Sequence, residues 1–124
     1  MKKARRALLG RSLKPVRIAC INYAEESISG RMMSRLTAAL QKCYDQHFLP
    51  VWGYPVRLYN TKKPKRGDWR MVYFDDTDDA EAEGYHDLFY HRHPVAKIFV
   101  KSTLENGDLI SVTASHELFE MAID

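Results

Sequence analysis

No run of apolar residues in this 124-residue chain approaches the roughly 18 to 20 that a membrane-spanning helix requires, which excludes a transmembrane reading. The first residues are basic, as in a secretory leader. Their apolar segment is only Ala7, Leu8 and Leu9 before Gly10 and Arg11 intervene, too short for an export signal. Cysteine is scarce. Cys20 and Cys43 show no metal-finger spacing, so free buried thiols and a reducing compartment are expected. Internal repeats and low-complexity tracts are lacking as well, which removes solenoid and disordered-array architectures. What remains is 45% apolar content, enough for one core and one domain.

The net charge of +3 is unevenly placed. Lys2, Lys3, Arg5, Arg6, Arg11 and Lys14 carry it, with no acidic residue among positions 1–14, while the rest holds 13 basic and 16 acidic residues. Residues 1–14 therefore read as a basic, flexible arm. Such an arm suits phosphates of nucleic acid or the acidic surface of a neighbouring subunit, but it has no aromatic residue on which a base would stack. A second basic run, Lys62, Lys63, Lys65 and Arg66 around Pro64, reads as an exposed turn between strands.

Residues 15–124 read as strand, helix, strands, helix. Val16–Tyr23 has strand composition without helical spacing. Ser27 or Ser29 offers an N-cap, and Ile28, Met32, Leu36, Leu40, Cys43 and His47 form a stripe on a helix running to about Gln46. Phe48 to Gly53 should end it. Val56–Tyr59 and Arg70–Phe74 read as strands joined by the basic turn. Asp75, Asp76, Asp78 and Asp79 lack the residue order of a calcium loop and are expected to be a solvated turn. Val95–Lys101 is the last expected strand, Asn106-Gly107 a turn, and Asp108 the cap of a final helix. This order gives an α+β domain with a mixed sheet of about four strands on two main helices.

That last helix, Ser111–Asp124, carries the chemistry. Residues four apart differ by about 40° around a helix, so His116 and Glu120 share a face and are placed to reach one ion. Imidazole nitrogen and carboxylate oxygen are both zinc ligands. Glu117, about 100° from His116, would lie beside a metal-bound water and take its proton during attack on a carbonyl carbon. The competing reading is an ordinary amphipathic helix with Val112, Phe119, Met121 and Ile123 inward and the three polar residues toward water.

The blocks His47–Gly53 (HFLPVWG), Gly67–Asp76 (GDWRMVYFDD), Gly84–Asp87 (GYHD), Pro94–Val100 (PVAKIFV) and Ser111–Asp124 (SVTASHELFEMAID) resemble those of uncharacterised bacterial and bacteriophage proteins with a zincin-like, His-Glu-containing helix. The resemblance covers nearly everything after the basic arm. It implies a zincin-like single domain over 15–124 and a metallopeptidase-like site with His116 and Glu120 as zinc ligands and Glu117 as base. In that family the helix pattern continues past an Asp-Pro pair, so this sequence reads as C-terminally incomplete, with its third ligand in doubt. Asp124 is a weak third candidate, since a straight helix sets it about 80° round and about 12 Å along from His116. His86, Asp87, His91 and His93 are loop alternatives, and Tyr85 is a candidate oxyanion donor. Two functions are expected from this. One is a zinc metallopeptidase-like hydrolase with an extended peptide along Val95–Lys101, in the cytoplasm. The other is a catalytically inactive, virion-associated assembly component of a phage particle whose arm contacts nucleic acid or neighbouring subunits.

Overall fold

The structure is a computed structural model, and it describes residues 14–52, 54–82, 89–90 and 93–123. Strand β1 spans Val16–Tyr23, as the sequence indicates, and lies inside the sheet. On one side it pairs in parallel with β2 (Val56–Asn60), and on the other with β3 (Trp69–Phe74). Next to β3 comes β5 (His93–Phe99), again parallel. The two-residue β4 (Phe89–Tyr90) closes the edge antiparallel to β5, giving the order β2-β1-β3-β5-β4. The chain mixes helices and one sheet, as expected, but four strands of that sheet are parallel and only the two-residue edge is antiparallel, an α/β arrangement rather than the expected α+β one. Zincin-like identity is a narrower matter than this architecture. Among the described residues no helix is long and apolar enough to cross a membrane.

Helix α1 (Gly30–Cys43) begins at Ser29, whose hydroxyl accepts from Met32 N at 3.2 Å. Its buried face is Met33, Thr37 and Leu40; of the expected stripe Ile28 and Leu40 are buried and Leu36 packs against the core, whereas Met32 is 49% exposed and His47 faces solvent. Thr37 occupies an inward position because its hydroxyl reaches Asn60 Oδ1 at 2.5 Å. The helix also does not stop near Gln46. It widens into a π-helical turn (Tyr44–Phe48), closed by Leu49 N–H on Tyr44 O, and continues as α2 (Leu49–Trp52). The wide turn lets the helix run on through Pro50, which has no N–H to give to the ladder. Tyr44 and Phe48 thereby join the buried face, and their rings stack at 4.8 Å.

The basic run does connect β2 to β3, but β1 lies between them, so the loop crosses over a strand rather than turning a hairpin. Asp68 anchors this crossover. Its Oδ1 accepts from Arg17 Nε at 2.8 Å, its Oδ2 from Lys65 N at 2.9 Å and from the Tyr59 hydroxyl. Gly67 makes the bend at φ +88°, a backbone region that side chains disfavour. Burial works against ionisation of Asp68, but the bonds from Tyr59, Arg17 and Lys65 outweigh it and hold its carboxyl below the usual range.

The aspartates after β3 are less solvated than expected. Asp75 is buried, accepting the Ser27 hydroxyl at 2.6 Å, and Asp76 accepts from Asp79 N at the start of the short helix α3 (Thr77–Ala82). The last strand ends at Phe99, since Val100 and Lys101 already belong to α4 (Val100–Glu105). Gly107 then reverses the chain at φ +78°. The final helix α5 spans Ile110–Ile123, and the Leu109 carbonyl, one residue past the expected Asp108 cap, accepts its first amides.

Both long helices cover the same face of the sheet. Ile18, Cys20, Met71, Tyr73, Ala96 and Ile98 from the strands meet Met33, Leu40, Tyr44, Phe48, Ala114 and Leu118 there. Ala19, Ile21, Val72, Phe74 and Val95 form a second cluster on the opposite face, where Tyr23 and Tyr59 pack against it. Cys20 is buried and Cys43 half-buried, both free; burial pushes the Cys20 thiol up to about 12, which leaves it inert as a nucleophile.

Candidate functional site

Helix α5 turns Ala114, Leu118, Met121 and Ala122 into the core. His116 and Glu120 lie two residues to either side of Leu118, about 160° from it around the axis, so packing of Leu118 forces both outward. Their side chains are 70% and 58% exposed, and they converge: His116 Nε2 stands 3.3 Å from Glu120 Oε1. Glu117 occupies the flank between this face and the core and is half-buried. Burial, and then the neighbouring Glu120 carboxylate, raise its pKa, while His116 pulls it back. The amphipathic alternative describes part of the same helix. Met121 is buried and Phe119 half-buried, but Val112 is 57% and Ile123 44% exposed.

As an exposed i,i+4 pair, His116–Glu120 contributes only a few tenths of a kcal/mol, roughly 0.2–0.5, so its interest is geometric. Two ligands of a tetrahedral zinc ion with bonds near 2.0–2.1 Å are separated by about 3.3 Å, the spacing this pair already has. The donors present fit two corners of such a site. Among the described residues no group of three His, Cys, Asp or Glu side chains gathers round one point. Asp124 lies outside the described residues, as do Tyr85, His86, Asp87 and His91. His93 is described, and it lines a different hollow with Val16, Arg17, Arg57 and Trp69.

Sequence reasoning missed the residues that hold α5 in place. The Tyr54 hydroxyl donates to the carbonyl of Ala122, in the last turn of α5, and the Tyr54 carbonyl accepts from the Tyr44 hydroxyl at 2.9 Å. Burial pushes both phenols well above their ordinary range, so they remain donors at any physiological pH. Phe48 stacks on Phe119 at 5.0 Å, between Leu118 and Glu120 in sequence. The π-helical turn thus supports the part of α5 that carries Glu117 and Glu120, directly through Phe48 and indirectly through Tyr44, which holds Tyr54. The only signal in the sequence was the density of aromatic residues from Tyr44 to Tyr54.

The strand expected to receive a peptide, β5, is paired with β3 on one side. On its other side β4 pairs only with His93 and Pro94, and no described strand flanks Val95–Phe99.

The chain was compared with protein-family models, with curated proteins and with solved structures. None matches.

Proposed function

We propose that this chain is a zinc-dependent hydrolase of the zincin-like type, with His116 and Glu120 as metal ligands and Glu117 as the base. The 3.3 Å convergence of His116 Nε2 and Glu120 Oε1 on one exposed helix face carries the reading. When bound, zinc supplies Lewis acidity to a carbonyl oxygen and brings the pKa of water toward neutrality. His116 contributes a neutral imidazole nitrogen, and Glu120 a carboxylate that offsets part of the ion's charge. Glu117 takes a proton from the attacking water and returns it to the leaving group. Its raised pKa suits both halves of that exchange better than an ordinary surface carboxylate would. A peptide is the favoured substrate, because the outer edge of β5 over Val95–Phe99 offers backbone groups to an extended chain beside the helix that packs on β5. A third protein ligand is required, and Asp124, His86, Asp87 and His91 are its candidates.

The test is elemental analysis of the purified protein. About one zinc per chain is expected, with His116→Ala and Glu120→Ala losing it. Glu117→Gln should keep the metal and lose peptide hydrolysis. A folded native protein that takes up no zinc refutes the proposal and favours the assembly-component reading, whose basic arm lies outside the described residues but for Lys14.

A further inference from the structure

Strand β2 is the outer strand of the sheet at the end away from β5. Pro55 O accepts from Val16 N, and Thr61 N donates to Cys20 O, so the odd-numbered peptide groups of this segment face β1. In a parallel strand the alternate residues then point the other way, which directs the backbone groups of Val56, Leu58 and Asn60 outward. Outward N–H and C=O groups in a row are a template for strand addition by another chain.

Two of those groups are already taken. Gln41, on α1, places its side-chain amide against the edge, with Nε2 donating to Val56 O at 2.9 Å and Oε1 accepting from Leu58 N at 2.7 Å. One side-chain amide thus makes to β2 the donor and acceptor pair that the N–H and C=O of one residue of a neighbouring parallel strand would make. Its orientation is fixed chemically. Leu58 N–H can only donate, so it must meet Oε1, and Asp45 Oδ1 accepts from Nε2 at 3.1 Å on the other side. Thr37, one turn earlier on the same helix face, binds the side chain of Asn60 at the end of the strand. Gln41, Asp45 and Thr37 line a groove of about 750 Å³ between α1 and β2. None of these hydrogen bonds involves α5, and the proposed hydrolase neither needs them nor explains them.

We propose that Gln41 is an internal substitute for a neighbouring strand, and that it keeps the β2 edge from pairing with the β2 edge of a second copy of this chain. The pairing it prevents is edge to edge, joining two sheets through Val56–Asn60. Asp45 is a positioning residue that keeps the amide turned the right way.

The experiment compares the full chain with Gln41→Ala and with Gln41→Met, which retains the length and packing of the side chain but neither hydrogen bond. Light scattering across a concentration series should find the native protein as one chain and the variants moving toward twice that mass. Hydrogen exchange read residue by residue should find the Leu58 amide protected by at least about tenfold in the native monomer, exposed in dilute variant and protected again in the associated variant. A variant that folds and stays a single chain throughout overturns the proposal. So does a native protein whose Leu58 amide exchanges as fast as unstructured peptide, a result that stands even if both variants fail to fold.

Discussion

Replacing Asp68 with Asn keeps the size of the side chain and removes one charge from the knot that closes the crossover loop. Three groups depend on that carboxylate: Arg17 Nε, the Tyr59 hydroxyl and Lys65 N–H. The Arg17 side chain is 47% exposed, so solvent screening limits its ion pair to about 1 kcal/mol or less. Lys65 N–H is the costlier partner, because it would face an amide NH2, and a partly buried donor left unmet costs about 1 kcal/mol or somewhat more, the low end of the range for buried groups. The Tyr59 bond adds about 1 kcal/mol. The expected loss at neutral pH is about 3 kcal/mol, a melting point lower by about 10 °C for a domain of this size. The pH dependence gives the sharper check. The folded pKa of Asp68 lies below its ordinary value of 3.8. Its contribution is therefore complete above that ordinary value and is lost as pH falls through the lower folded value. Urea melts of native protein and Asp68→Asn should differ by the full amount at pH 7 and draw together below about pH 4. A gap that stays constant down to pH 2, or one below about 0.5 kcal/mol at pH 7, refutes this account of the loop.

Tyr54→Phe removes only the hydroxyl that holds Ala122 O. It should cost about 1–2 kcal/mol in a urea melt and speed amide exchange in the last turn of α5, whereas exchange in α1 should change little. Met33→Ala should cost about 2–4 kcal/mol, while Met32→Ala on the next position should cost less than about 0.5 kcal/mol, a contrast that thermal melts resolve.

Legibility in the sequence followed how local each feature is. β1 was readable to the residue because VRIACINY combines β-branched side chains with no helical spacing. The Ser29 cap and the Asn106-Gly107 reversal are likewise settled within a few residues. The face of α1 was legible at Ile28, Leu36 and Leu40 but not at Met32, because Met32 and Met33 are interchangeable to a periodicity argument. Thr37 decided the matter through a bond to Asn60, 23 residues away. Pro50 read as the end of a helix because sequence rules assume α geometry throughout, and a π turn suspends them. Strand order was beyond reach. Nothing near Lys62–Arg66 signals that β1 lies between the strands it joins, since the connection is secured by Asp68 meeting Arg17, 51 residues away.

At the candidate site the division is of another kind. The sequence placed His116 and Glu120 on one face because helical periodicity is local, and it set Val112 and Ile123 inward because they are apolar. Both of those apolar residues are exposed, on the side of α5 that bears the pair, with Leu109 also 66% exposed just before the helix. Water-facing positions on a helix are served well by any strong helix former, and neither His nor Val is one. Stability therefore does not account for a His-Glu pair flanked by exposed Leu109, Val112 and Ile123. Covering those apolar neighbours would dry the surroundings of the pair and strengthen every charge interaction made there.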